Sequence, residues 1–198
     1  MAKEERYYKH DLMERIGHWV HGVNILLLAL SGLQLHNPSW AVFGSVSNAR
    51  FVHFLSTYAF VFIGLWHLYY FFGAKKHAEA LFQPEDAKDV IPTIKWYLFL
   101  TDTRPDYSKY NVLQKISYAG LFVISAFQAL LGFAIYWNYS LRGVSDLFGG
   151  LLATRALHYS LTWIFVYFTA VHIYLIIRED LGLLWAMFHG YYRREVKD

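Results

Sequence analysis

The chain contains no cysteine. That excludes disulfides, iron–sulfur ligation and a covalently attached c-type haem within it, because each of these needs a thiol. Any iron–sulfur chemistry belongs to another subunit. Proline is scarce: four in 198 residues, and three of them (Pro84, Pro92 and Pro105) fall in one polar stretch. The long apolar runs are therefore almost free of the residue that breaks helices. Charged residues make up only 17% of the chain, with a net charge of +3, where a soluble domain carries about 25%. No nucleic-acid partner is expected.

What fills the space is apolar. Hydrophobic residues reach 56% and aromatics 20%, with a mean hydropathy of +0.24, so the chain reads as an all-α membrane protein. Hydropathy places four spans at about 16–35, 51–73, 112–137 and 156–177, each long enough for a bilayer core of about 30 Å. The segment Met1 to Arg15 is charged and no small-residue cleavage site follows it. The first run is therefore expected to be a retained span. Short connections carry Asn37-Pro38, and Gly143 with Gly149-Gly150. A long polar loop covers 74–111; within it Val90, Ile91, Ile94, Tyr97 and Leu98 recur at helical spacing, which predicts a helix lying on the membrane surface.

Basic residues orient the spans. Lys3, Arg6, Lys9 and Arg15 lie in the first tail. Lys75, Lys76, Lys88, Lys95, Arg104, Lys109 and Lys115 lie in or near the long loop, and Arg178, Arg193, Arg194 and Lys197 follow the fourth span. Only Arg50, Arg142 and Arg155 fall on the other side. The excess of positive charge predicts that both termini and the long loop are cytoplasmic. The expected organisation is one integral-membrane domain over 1–198, a four-helix bundle in a bacterial cytoplasmic membrane.

Histidines then sort by depth. His158 and His172 are fourteen residues apart in the fourth span, and His53 and His67 repeat that spacing in the second. Fourteen residues bring two side chains back to one helix face about 21 Å apart, one near each membrane surface. Ionisable groups in a span mark function, and facing histidines suggest haem held by two imidazoles. At the outer level the pair is His53 with His158. At the inner level His172 has two candidate partners, His18 and His67, and spacing favours His67. His21, one turn beyond His18, is a further substitute. His10, His36, His77 and His189 lie in tails, loops or span ends and read as solvated or interfacial.

Arginine adds a second pattern. Arg15, Arg50 and Arg155 each stand three residues before a histidine: His18, His53 and His158. A guanidinium at that spacing shares the histidine's face and binds a carboxylate such as a haem propionate. The pattern includes His18 and omits His67. Asn111 and Gln114, at the start of the third span, are candidates for hydrogen bonds to a quinone carbonyl; helix capping is their other reading. Glu179 and Asp180 are candidates for a proton relay or for plain solvation. Tyr118, Phe122, Phe127, Phe133 and Tyr136 in the third span are expected to pack around haem edges, with Gly120 and Gly132 allowing close approach by a helix or macrocycle.

The chain resembles the b-type cytochrome subunit of membrane-bound nickel–iron hydrogenases. The resemblance runs through Arg15-Ile-Gly-His18-Trp19, Arg50-Phe-Val-His53-Phe54, Trp96-Tyr97-Leu98-Phe99-Leu100, and His172-Ile-Tyr-Leu175 running into Arg178-Glu-Asp-Leu181 and Gly190-Tyr191. It is also similar to the gamma subunit of formate dehydrogenase, to which Lys109-Tyr110-Asn111 with Gln114-Lys115 looks closer. The resemblance implies two b haems: His53 with His158 holding the outer and His18 with His172 the inner. His67 is then part of the haem or quinone environment or an alternative ligand. It implies an electron-transferring, quinone-reducing subunit with no substrate-activating site of its own. Its partners would be an iron–sulfur small subunit and a Ni/Fe large subunit, or their formate dehydrogenase equivalents, with menaquinone or ubiquinone as acceptor. A haem-free four-span transporter or scaffold is the contrasting class.

Overall fold

A computed structural model describes residues 3–75, 77–103, 105–107 and 109–196. Of the basic residues used for orientation, Lys76, Arg104 and Lys197 lie outside the described residues. In chain order the elements are β1 (Lys3–Tyr8), α1 (Leu12–His36), α2 (Val46–Gly73), α3 (His77–Ala80), α4 (Ala87–Tyr97), α5 (Val112–Tyr136), α6 (Arg142–Leu147), α7 (Leu151–Glu179), α8 (Leu181–His189) and β2 (Tyr191–Val196). Single 3-10 turns at Pro38–Trp40 and Pro84–Asp86 lead into α2 and α4.

The four expected spans are α1, α2, α5 and α7, each long and apolar enough to cross a membrane. Three of them overrun the apolar stretches that hydropathy marks. The extra turns mix apolar residues such as Leu12, Val46 and Leu151 with polar and charged ones such as Glu14, Asn48, Thr154 and Arg178. Each start has a local cause. Asp11 caps α1 by accepting the Glu14 N–H at 2.9 Å, satisfying a donor that the first turn leaves unpaired. At α7 the chain turns through Gly149 and Gly150, at φ 88° and 93°, a backbone region open to glycine without strain.

The chain divides into two compact units, one formed by 1–66 with 131–198 and the other by 67–130. In the first, α1 and α7 run antiparallel. His36, at the end of α1, stacks on Tyr159 near the start of α7 with ring centres 3.7 Å apart. At the opposite ends His18 faces His172. Most buried positions hold small or polar groups, Ser31, Gln34, Ala49, Ser145 and Thr154 among them, beside Leu33, Leu131 and Phe165, while Phe62 and Leu152 are 69% and 82% exposed. Small residues inside and large apolar ones outside suit helices that pack against each other in lipid.

A two-stranded sheet joins the chain's two ends. β1 pairs antiparallel with β2, from Lys3 opposite Val196 to Tyr8 opposite Tyr191. This adds strand structure to a chain whose sequence reads as wholly helical, and it puts both tails on one side. α8 begins at Asp180, whose carboxylate accepts the Gly182 N–H at 2.7 Å. It ends at Gly190, φ 88°. The Gly190 carbonyl accepts the N–H groups of Lys9 and His10 at 2.8 and 3.1 Å.

In the second unit, the helix expected over Val90 to Leu98 is α4. Val90, Ile94 and Tyr97 are half-buried, whereas Ile91 and Leu98 are exposed. Asp86, just before α4, pairs with Lys115 of α5 at 2.9 Å. α5 starts with a reciprocal capping box: Asn111 Oδ1 accepts the Gln114 N–H at 2.9 Å and Gln114 Oε1 accepts the Asn111 N–H at 3.0 Å. The buried Asn111 amide also donates to the Tyr97 hydroxyl at 2.8 Å, tying α5 to α4.

Candidate functional site

Two pairs of histidines face one another within the first unit. His53 of α2 and His158 of α7 have ring centres 6.3 Å apart with planes inclined at 75°. His18 of α1 and His172 of α7 have centres 5.9 Å apart, inclined at 49°. Both pairs share α7, so they lie at two levels, about 21 Å apart along its axis.

The outer pair is held by small groups. The Ser31 hydroxyl donates to the backbone carbonyl of Leu27 at 2.5 Å and lies 2.9 Å from Nδ1 of His53. A hydroxyl has a single proton; with that proton on Leu27, Ser31 accepts from Nδ1–H. The remaining ring nitrogen, Nε2, then carries the lone pair a metal needs. Gly32 of α1 and Gly132 of α5 lie against the two rings. A β-carbon at Gly32 would sit 3.3 Å from Cε1 of His53, and one at Gly132 would sit 3.2 Å from Cε1 of His158.

The inner pair sits among aromatics. Trp19 meets His18 edge-on at 5.2 Å, and Phe168 stacks on His172 at 6.0 Å and 11°. Nδ1 of His18 is buried with no hydrogen-bond partner.

These pairs have the dimensions of a metal held by two imidazoles. With metal–nitrogen bonds of about 2 Å, and ring centres about 1.1 Å beyond each nitrogen, the centres fall about 6 Å apart. Among the described residues no group of three or more His, Asp or Glu side chains is placed to hold a metal. Two imidazoles alone suit a metal that brings its remaining ligands with it, as the iron of a porphyrin does. The residues present therefore fit haem at both levels.

A family model, prokaryotic cytochrome b561, matches residues 9–190. The chain belongs to the prokaryotic cytochrome b561 family. Among its relatives is the probable Ni/Fe-hydrogenase B-type cytochrome subunit of Azotobacter vinelandii, 30% identical over 91% of this chain and 84% of the relative. The protein of the same description from Cupriavidus necator is 29% identical over 96% of this chain and 88% of the relative. The probable Ni/Fe-hydrogenase 1 B-type cytochrome subunit of Escherichia coli K12 is 24% identical over 93% and 90%.

In this cytochrome the three arginines have different surroundings. Arg50 and Arg155 are exposed, one helical turn from His53 and His158. Arg15 is half-buried and donates from Nη1 to the Phe188 carbonyl, while Trp19 donates from Nε1 to the Met187 carbonyl at 3.0 Å. Both bonds satisfy carbonyls in the last turn of α8, where a cation is also favoured by the helix dipole. Arg15 thus pins α1 to α8, a role its spacing from His18 did not disclose.

The remaining histidines are placed by other contacts. His21 lies edge-on to Phe60 at 5.1 Å. His10 pairs with Glu14 at 3.2 Å. His189 accepts the Tyr191 N–H at 3.1 Å, and His77 lies beside Phe71 and Phe72. His67 is half-buried on α2 and belongs to the second unit. Asn111 and Gln114 are joined in the capping box at the start of α5. Asp180 has both carboxylate oxygens occupied, one capping α8 and the other accepting the Tyr192 hydroxyl at 2.6 Å. Ser31 and Gly32 were missed as site residues from the sequence; their signal was an adjacent pair of small residues inside an apolar span.

Proposed function

We propose that this cytochrome is the membrane-anchoring, di-haem b subunit of a Ni/Fe hydrogenase in a bacterial cytoplasmic membrane. It takes electrons from an iron–sulfur subunit on the extracytoplasmic face and delivers them to quinone near the cytoplasmic face. The observation that carries the proposal is the pair of histidine couples at two depths. The names of the relatives supply the partner enzyme, and the cysteine-free sequence is consistent with iron–sulfur clusters held by another subunit.

Haem b bound in this way exchanges single electrons at its iron. The protein's residues do the rest. His53 with His158, and His18 with His172, would hold the two haems, and iron held by a pair of imidazoles would pass electrons without binding oxygen or substrate. Ser31 fixes the tautomer and orientation of His53, and Gly32 and Gly132 leave room beside the rings. Arg50 and Arg155 bind propionates at the outer level; Arg15 serves the inner one alongside its bond to α8. The quinone site lies at the cytoplasmic level, where Asn111 and Gln114 fix the start of α5. Both tails are cytoplasmic, which the β1–β2 pairing supports by holding them together. Inward electron movement against a membrane negative inside costs about 2.3 kcal/mol per charge per 100 mV, so the arrangement conserves energy as membrane potential.

Purification in mild detergent from haem-sufficient cells tests the proposal. The expected result is a low-spin, bis-histidine b spectrum, reduced by hydrogen in the intact complex and reoxidised by quinone. A colourless protein, or one with a single five-coordinate centre, would overturn it. The same module on a formate dehydrogenase is the second reading, favoured by Lys109-Tyr110-Asn111 with Gln114-Lys115. The catalytic subunit that co-purifies decides between them.

A further inference from the structure

Gln34 stands near the outer end of α1 with no exposed surface. Its side-chain oxygen accepts the backbone N–H of Phe43 at 2.8 Å. That bond settles which end of the amide is which, because only the carbonyl end accepts from an N–H. The amide nitrogen is therefore turned away from Phe43, and it is buried with no hydrogen-bond partner. A buried donor left unpaired is costly and rare, and it points to a missing acceptor.

The position of Gln34 indicates what that acceptor is. Ser31, which holds His53, precedes Gln34 by three residues on a helix running toward the outer end. Arg50 and Arg155 precede His53 and His158 by three on helices running the opposite way. All three donors therefore stand one turn outside the level of the outer imidazoles, about 4.5 Å along each axis. Two are exposed cations and one is a buried neutral amide.

We infer that the Gln34 amide donates a hydrogen bond to a propionate carboxylate of the haem held by His53 and His158. The inference rests on the haem reading above and adds a residue to it. The exposed guanidiniums take the solvent side of the carboxylates, and Gln34 takes the side facing the protein interior. A carboxylate oxygen has lone pairs for both. A neutral donor there stabilises the charged carboxylate without burying another cation.

Redox titration and resonance Raman spectra of the purified complex test this. Gln34→Glu keeps an oxygen for the Phe43 N–H and replaces the donor with a second acceptor. In that variant the outer haem's reduction equilibrium is expected to shift about tenfold toward the oxidised form, about 59 mV for one electron. The shift should vary with pH, the propionate bending band should move, and the inner haem should be unchanged. Gln34→Met removes both contacts; it should move the same band and also loosen residues 37–45 in hydrogen exchange. An outer haem with wild-type potential and propionate band in both variants would overturn the assignment of Gln34. A wild-type protein lacking a bis-histidine spectrum would instead overturn the haem reading, and this inference with it.

Discussion

The Ser31 hydroxyl lies 2.9 Å from Nδ1 of His53, and it spends its own proton on the Leu27 carbonyl. His53 is thereby held with Nε2 unprotonated. Partners of this kind change metal affinity or activity about 10–100-fold when removed. Ser31→Ala is expected to lose the outer haem that much more readily, and Ser31→Thr to retain it. Haem loss to an apo-globin acceptor, followed by absorbance, measures both.

Gly132 and Gly32 leave room that a side chain would fill. A β-carbon at either one falls 3.2–3.3 Å from an imidazole carbon, closer than carbon atoms settle comfortably. Gly132→Leu is expected to displace the His158 ring and remove the outer haem while the inner one stays. Pyridine haemochrome assay against protein concentration distinguishes this from general unfolding, which would remove both.

The inner ligand is decided by a pair of variants. His18 faces His172 at 5.9 Å, so His18→Ala is expected to abolish the inner haem. His67→Ala is expected to keep both haems. Loss of the inner haem in His67→Ala, with retention in His18→Ala, would reverse the assignment.

Asp86 gives the second unit a pH dependence with a definite sign. Its carboxylate accepts the Gln83 N–H at 2.8 Å and meets the ammonium of Lys115 through both oxygens at 2.9 Å. The hydrogen bond from Gln83, and then the one from Lys115, hold its pKa below the usual carboxylate range. The folded state thus binds the proton more weakly than the unfolded chain. The stabilisation is complete above the ordinary value of about 3.9 and is lost as pH falls through the lower folded value. Hydrogen-exchange protection of α4 should fall in that window. In Asp86→Asn, protection should be weaker at neutral pH and indifferent to acid.

Gly190 is required on two counts. Its φ is 88°, and a β-carbon there would lie 2.7 Å from the Tyr8 ring and 2.8 Å from the His10 carbonyl oxygen. Strain of this kind costs about 1–3 kcal/mol. Gly190→Ala is expected to lower the thermal unfolding midpoint and to free the β1–β2 ribbon in hydrogen exchange, with the spectrum of the outer haem unchanged.

The sequence made the spans and their histidines legible because both signals are local. Apolar runs announce α1, α2, α5 and α7, and a spacing of fourteen on a helix fixes His158 and His172 to one face whatever surrounds them. The expected helix near Val90 appeared as α4 for the same reason. The choice between His18 and His67 was of another kind, since it depends on which helix lies against α7, and spacing within a helix carries no such information. The tail strands were illegible because each finds its partner nearly the whole chain away. α8 was missed because nine residues, eight of them apolar or glycine, are too few for a span. Arg15 looked like Arg50 and Arg155 in sequence, and only the arrival of α8 gives its guanidinium a carbonyl. Asn-x-x-Gln at residues 111–114 is a capping signature in its own right, and the structure forms that box.

The ribbon of β1 and β2 also orders events during synthesis. The first strand leaves the ribosome with nothing to pair with, and waits through the translation and insertion of every helix before β2 emerges. Until then Lys9 and His10 lack the Gly190 carbonyl, and Arg15 and Trp19 lack the end of α8. The N-terminal end of α1, with His18 on it, is consequently fastened only when the final described segment has been made, so the site of His18 and His172 matures last.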